Sequence, residues 1–138
     1  MNATIEKFGY PATLVCDYRH WVLLVRPAQV TAGSLILAAK GDATAYGGLP
    51  PDAFTEQGAI VAELEQKLRQ VINMDKINYL MLMMVDPHVH FHVFPRYRGE
   101  RSFAGLTLTD HGWPGPPDLK SAVELDSAAI GQAVEILR

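Results

Sequence analysis

The sequence has little cysteine, no long apolar run and no excess of one charge. Cys16 is the only cysteine among 138 residues, so no internal disulfide can form and a reducing compartment, the cytoplasm, is expected. No stretch reaches the ~18 consecutive apolar residues of a membrane-spanning helix, and the first twenty residues do not resemble a signal peptide. A net charge of -3 gives no long-range attraction to nucleic acid or to an anionic membrane. We expect a cytoplasmic protein that binds neither.

The first half of the chain predicts two strands and a helix. The apolar runs at 21–25 and 33–38 predict neighbouring antiparallel strands, because only a short link joins them. Asp52 is predicted to cap a helix that ends near Asn73. Its buried face is predicted from helical spacing to contain Phe54, Val61, Leu64, Leu68 and Val71.

The second half predicts two further strands and a terminal helix. Residues 77–85 are predicted to form a buried strand, and residues 88–96 a strand with alternating pattern. Residues 99–117 are too rich in Gly and Pro for long regular elements, and Asp126 is expected to cap a helix over 127–138. The fold class is therefore α+β, with a mostly antiparallel sheet, one main helix packed on it and a C-terminal helix.

Three of the five histidines lie at alternating positions, His88, His90 and His92, each separated by one apolar residue. Alternate residues of a strand share a face, so the three imidazoles are predicted to line one accessible surface. The intervening side chains, which would point into the core, are Val89, Phe91 and Val93.

A metal site is one interpretation of this row, because imidazole is a common zinc ligand. His88 and His92 would lie about 13 Å apart along a strand, so a neighbouring pair would need a third ligand from elsewhere. Only His20 and His111 remain as histidines, and there is no second cysteine. A third interpretation is that the histidines only fill an exposed strand face. That role is usual for a single histidine, but three in strict alternation argue against it.

Nucleophilic catalysis is the other interpretation. A neutral imidazole, with an unperturbed pKa of about 6.5, can attack phosphorus at neutral pH. Its neighbours can bind the phosphoryl oxygens and donate a proton to the leaving group. Repulsion between adjacent imidazolium ions also keeps one ring unprotonated. A row of histidines thus suits phosphate chemistry without a metal or other cofactor.

The motif at 88–94, in which histidines alternate with apolar residues and Pro95 and Arg96 follow, resembles the signature of the histidine triad family. The resemblance covers roughly residues 13–98. It implies an α+β fold, a homodimer with a continuous sheet, and nucleotidyl hydrolase or transferase activity. By position it implies that His90 is the nucleophile at the α-phosphate, that His92 contacts the phosphate and that His88 supports the site.

The sequence departs from the family pattern around this motif. The Asn-x-Gly and Ala-Gly-Gln-Ser/Thr-Val loop of many members is replaced by the shorter segment 83–87, without Gln, Ser or Thr. A fourth histidine of the family is Ser34 here, and Arg26 stands near an Asn that contacts ribose or phosphate in some members. The substrate-binding candidates by position are Arg26, Ser34 and Arg96, with Arg98 as a further donor.

These observations predict a domain over residues 1–108 and a C-terminal extension over 109–138 packed on it. The predicted function is a metal-independent phosphohydrolase or nucleotidyl transferase that forms a covalent nucleotidyl intermediate on His90. The predicted ligand is a nucleotide or phosphoramidate, and the predicted partner is a second copy of the chain. The alternative is a weakly active or inactive member of the family that binds nucleotides or another protein.

Overall fold

The computed structural model describes residues 1–138 and has an α+β architecture, as the sequence predicts. The helices are α1 (Ala3–Lys7), α2 (Pro51–Ile72) and α3 (Ser127–Leu137). The strands are β1 (Leu14–Asp17), β2 (Trp21–Val25), β3 (Ala28–Gln29), β4 (Leu35–Ala39), β5 (Lys76–Leu80), β6 (His90–Arg96), β7 (Glu100–Phe103), β8 (Leu106–Thr109) and β9 (Val123–Glu124). A short 3-10 helix, Tyr46–Gly48, precedes α2. No helix is long and apolar enough to cross a membrane.

The main sheet has five strands in the order β1-β2-β4-β6-β5, and every neighbouring pair is antiparallel. Two small sheets pair β3 with β9 and β7 with β8. The predicted antiparallel pairing of the two apolar runs is confirmed, with Leu23 opposite Leu37. Because β6 lies between β4 and β5, its side chains are supported by a strand on either side.

The cap of helix α2 lies two residues earlier than expected, at Pro50, and the prediction that Asp52 caps the helix is wrong. The capping position is Pro50, which has no side chain to accept a hydrogen bond, and Pro51 opens the helix. Proline suits the first helical position because its missing N–H would have no partner there. Asp52 lies in the first turn, where its charge favours the helix dipole. The helix ends at Ile72, near the predicted Asn73, and Asn73 caps it in a left-handed conformation with φ 55°.

The buried face of α2 is rotated from the predicted one. Leu64 and Leu68 are buried as expected, but Phe54 is exposed. The indole N–H of Trp21 donates to the backbone carbonyl of Ala53 (2.8 Å), which brings the start of α2 close to β2 and turns the neighbouring Phe54 outward. The buried residues of α2 are Ala53, Ile60, Leu64, Leu68 and Ile72.

Both faces of the sheet are covered. On one face, α2 and α3 close a large apolar core. On the other, Ile5 of α1 packs on four strand residues. This second cluster consists of Ile5, Val22, Leu24, Ile36 and Ala38. Residues 1–20 carry no clear periodicity, so the sequence predicts neither α1 nor β1.

The strands around the histidine motif are shorter than predicted. Strand β5 ends at Leu80 instead of residue 85, and β6 begins at His90 instead of His88. Residues 81–89 form the connection, in which Pro87 has no N–H to contribute to a ladder. The N–H of Val89 instead donates to Ala43 (3.1 Å).

The C-terminal part packs on the same core as the rest of the chain. Helix α3 is capped by Asp126, whose side chain accepts from the N–H of Ala129 (2.8 Å), as predicted. Leu125, Val134 and Leu137 belong to the main apolar cluster. The division at residue 108 stays a prediction. The segment predicted to lack long elements contains the hairpin of β7 and β8, whose strands have four residues each.

Candidate active site

His90 and His92 lie on one face of β6, and their ring centroids are 5.1 Å apart at an interplanar angle of 72°. The shared face is what the alternating pattern predicts. His88, however, precedes the strand, so the prediction that all three histidines belong to one strand is wrong for His88. The chain still brings it close, because the main-chain carbonyl of His88 contacts the ring of His90.

The imidazole face is covered, whereas the sequence predicts an accessible one. Only 2% of His90 and 8% of His92 is exposed. The ring of Phe8, which follows α1, lies 5.7 Å from that of His90 and 5.9 Å from that of His92. Helix α1 has only five residues, which is too short to show a helical repeat. The sequence therefore does not predict that this segment covers the histidines.

The ring of His90 is held in one orientation. Its Nδ1 lies 2.7 Å from the main-chain carbonyl oxygen of His88. A carbonyl can only accept, so Nδ1 carries the proton and donates it. Neutral His90 therefore has an unprotonated Nε2, and that nitrogen holds the free lone pair a nucleophile needs.

His92 has the opposite tautomer. Nε of Arg26 donates to Nδ1 of His92 (3.3 Å), so the proton of the neutral ring is on Nε2. Burial, the charge of Arg26 and the proximity of His90 lower the pKa of His92 to about 4. His92 is thus a neutral hydrogen-bond donor at physiological pH, and its ring centroid lies 5.1 Å from that of His90.

Arg26, a predicted substrate-binding residue, is brought to the site. Its Nη1 donates to the carbonyl of Ala28 (2.6 Å), and its guanidinium carbon lies 5.7 Å from the ring centroid of Phe94. Burial lowers the pKa of Arg26, but a guanidinium stays charged at any physiological pH. It is a fixed cation beside His92.

His88 is tied to α1. The hydroxyl Oγ1 of Thr4 lies 2.9 Å from Nδ1 of His88 and accepts the main-chain N–H of the same residue at 3.3 Å. Thr4 is 2% exposed. The sequence gives no signal for this contact, since 84 residues separate the two partners.

Ser34 has a structural role. It is fully buried, and its hydroxyl donates to the carbonyl of Thr31 (2.7 Å) while accepting from the N–H of Thr31 (3.0 Å). The hydroxyl closes the turn before β4. Its predicted role in substrate binding therefore has no support from the geometry.

Arg96 is also occupied. Its guanidinium forms a bidentate pair with Asp110 (2.7 and 3.0 Å) and donates to Asn78 (2.7 Å) and to the carbonyl of Gly115 (2.8 Å). The side chains of Arg96 and Asp110 are 3% and 1% exposed. Arg96 anchors the C-terminal loop to β6, and its predicted contact with substrate has no support. Arg98 is exposed at the end of the strand.

The loop before the histidines is apolar and open. Leu82, Met84 and Val85 are 46%, 86% and 82% exposed. Asp86 joins the loop to α1 through an ion pair with Lys7 (2.6 Å). The side chains outside the motif that hydrogen-bond to the histidine rings are Thr4, at His88, and Arg26, at His92. No group of three or more His, Cys, Asp or Glu side chains is arranged to hold a metal ion.

The structure resembles several solved histidine triad proteins. A histidine triad protein from Bradyrhizobium japonicum matches with a TM-score of 0.75 and 17% identity, covering 100% of this chain and 94% of that one. A histidine triad protein from Marinobacter aquaeolei matches with a TM-score of 0.69 and 20% identity, covering 96% of each chain. A hypothetical histidine triad nucleotide-binding protein from Sulfolobus tokodaii matches with a TM-score of 0.71 and 15% identity, covering 97% of this chain and 86% of that one. No protein-family model and no curated protein matches the sequence.

At these identities the likeness establishes the fold. The five-stranded antiparallel sheet and the helices agree with the neighbours over nearly the whole chain. The chain therefore has the histidine triad fold, which confirms both the α+β class and the resemblance carried by the motif at 88–94.

Proposed function

We propose that the chain is a metal-independent nucleotidyl hydrolase or transferase of the histidine triad family that acts through His90. The observation that carries the proposal is the 2.7 Å contact between Nδ1 of His90 and the carbonyl of His88. This contact leaves Nε2 of His90 unprotonated and fixes the orientation of the ring, so that Nε2 can act as the nucleophile.

The reaction proceeds in two steps. Phe8, which covers the ring of His90, first moves aside. Nε2 of His90 then attacks the α-phosphorus of a nucleotide, forming a P–N bond as the bond from phosphorus to the leaving group breaks. Nε2–H of His92 and the guanidinium of Arg26 donate to the phosphoryl oxygens, where negative charge develops. Water, or another acceptor, then attacks the same phosphorus and releases His90.

Three further parts of the proposal have their own support. The Sulfolobus neighbour is described as nucleotide-binding, in keeping with a nucleotide or phosphoramidate ligand. The thiol of Cys16 is free, which is consistent with a cytoplasmic protein. Strand β5 pairs only with β6, and its open edge can pair with a second copy to form a homodimer.

The decisive experiment is rapid-quench intact mass spectrometry with a nucleoside phosphoramidate or a dinucleotide. The quench must be alkaline because phosphoramidates are labile to acid. We expect a transient adduct of one nucleotidyl group on His90, and turnover of the substrate. The variant His90→Ala should form none, whereas His111→Ala, at an exposed histidine in the C-terminal loop, should react like the wild type. Nucleotide binding without adduct or turnover would instead favour a non-catalytic binding protein.

A further inference from the structure

Thr4 is the buried contact between the N-terminal helix and the histidine motif. Its hydroxyl touches His88 at two atoms, the ring Nδ1 (2.9 Å) and the main-chain N–H (3.3 Å). Thr4 is 2% exposed, so water is not freely available to replace either contact. A buried hydroxyl in this position controls which hydrogen bonds the histidine can make.

The direction of the contacts follows from the capacity of the hydroxyl. A threonine oxygen accepts up to two hydrogen bonds and donates one. The N–H of His88 uses one acceptor position, and the hydroxyl proton has no other acceptor among the hydrogen bonds of the chain. Buried donors are satisfied in folded proteins, so the hydroxyl donates to Nδ1 and the neutral ring of His88 carries its proton on Nε2.

The same contact reaches the nucleophile through the main chain. A residue whose N–H and ring are both bound to one hydroxyl cannot rotate freely about φ or χ1. The carbonyl of His88 shares a peptide plane with the N–H of Val89, which donates to the carbonyl of Ala43 (3.1 Å). With φ of His88 held by Thr4 and this plane held at Ala43, the carbonyl stays aimed at Nδ1 of His90, 2.7 Å away. The order of contacts is Thr4 to His88 and His88 to His90.

Helix α1 is anchored independently of Thr4. The side chain of Asn2 accepts from the N–H of Ile5 (3.0 Å) and donates to the carbonyls of Ala39 (3.0 Å) and Gly41 (2.9 Å). Ile5 is fully buried against the sheet. These contacts keep α1 in place when the hydroxyl of Thr4 is removed, so the effect of the hydroxyl can be tested by itself.

We propose that Thr4 is a positioning residue of the active site, which fixes the tautomer of His88 and, through the carbonyl of His88, the orientation of His90. The assignment rests on the proposed function for its kinetic consequence, but not for the tautomer itself. Thr4 thereby contributes to the site although it lies before residues 13–98, the part of the chain that resembles the family.

The test compares Thr4→Val with Thr4→Ser and Lys7→Ala. Valine keeps the shape of threonine without the hydroxyl, whereas serine keeps the hydroxyl. Lys7→Ala removes the other polar contact between α1 and the loop, the ion pair with Asp86, and serves as the control for docking of the helix. Nitrogen-15 NMR of the imidazoles reports the tautomers of His88 and His90, and steady-state kinetics report turnover.

We expect Thr4→Val to shift the ring-nitrogen resonances of His88 towards a tautomer mixture and to lower kcat about tenfold, as the loss of one hydrogen bond predicts. KM should change little, Thr4→Ser should restore both measurements, and Lys7→Ala should alter neither. An unchanged His88 spectrum in Thr4→Val would overturn the proposal. So would Lys7→Ala reproducing the effect, because helix docking would then explain it.

The outcome separates this proposal from the proposed function. A wild-type chain without turnover would refute the enzyme, while a His88 shift confined to Thr4→Val would still support Thr4 as the residue that sets the tautomer.

Discussion

Nε of Arg26 lies 3.3 Å from Nδ1 of His92, and this contact fixes which ring nitrogen of the neutral imidazole carries the proton. A guanidinium only donates, so His92 accepts at Nδ1 and keeps its own proton on Nε2. A second proton on His92 would place an imidazolium beside the guanidinium of Arg26, although only 8% of His92 is exposed to solvent. The neutral ring is the stable form, and its Nε2–H is the donor that the proposed mechanism assigns to the phosphoryl oxygens.

Replacing Arg26 with leucine should raise the pKa of His92 and weaken catalysis. Burial is the largest cause of the low pKa and persists in the variant, whereas the charge of Arg26 is removed, so the pKa should rise only part of the way towards 6.5. Loss of the cation beside the phosphoryl oxygens should lower kcat/KM about a hundredfold. NMR titration of His92 and steady-state kinetics measure the two effects. Arg69→Leu, at an exposed arginine of α2, is the control, and an unshifted pKa of His92 in Arg26→Leu would contradict the prediction.

His92 should make the protein less stable in acid. The pKa of His92 is about 4 in the folded chain and about 6.5 in an unfolded one. Between these values the unfolded state binds the proton and the folded state does not, so the free energy of unfolding falls as pH decreases from about 6.5 to about 4. The loss should amount to roughly 3 kcal/mol.

Urea unfolding at pH 7 and pH 4 measures this loss. Asparagine at position 92 does not titrate, so His92→Asn should lose less stability than the wild type over the same interval, by roughly 3 kcal/mol. The comparison removes the contribution of all other titrating groups, which both proteins share. Equal losses in the two proteins would show that His92 titrates normally in the folded state.

Strand periodicity predicts the elements that carry the histidines, but not what covers them. The alternation through His90 and His92 is visible because each strand position has a fixed side. The cover by Phe8 depends on a helix of five residues, too short to show a repeat. The roles of Arg26 and Arg96 could not be separated either, because their partners, His92 and Asp110, are contacts through space.

Truncation of Phe8 should expose the two histidines of β6. Phe8 is only partly buried, so Phe8→Ala should cost about 1–2 kcal/mol, less than the loss of a fully buried phenylalanine. The rings of His90 and His92 should become more reactive towards diethyl pyrocarbonate, as measured residue by residue by mass spectrometry. Phe54→Ala, which removes an exposed aromatic ring packed on Tyr46, should leave their rates unchanged. Equal rates in Phe8→Ala and the wild type would show that the ring does not limit access.

The pair of Arg96 and Asp110 should matter for stability and not for catalysis. Removing Asp110 by Asp110→Ala leaves a buried guanidinium without its carboxylate, which should destabilise the fold by about 3–5 kcal/mol. The exposed pair of Lys7 and Asp86 is the comparison, since Lys7→Ala should cost less than about 1 kcal/mol. Urea unfolding measures both values.

The double variant Arg96→Leu/Asp110→Leu distinguishes a structural role of Arg96 from the substrate-binding role that its position after the histidine motif suggests. Two apolar side chains leave no unpaired charge in the interior, so the double variant should recover much of the stability that Asp110→Ala loses. Its kcat/KM, corrected for the folded fraction, should equal that of the wild type, because the guanidinium of Arg96 is fully engaged by Asp110, Asn78 and Gly115. A large loss of kcat/KM in a folded double variant would return Arg96 to the substrate-binding site.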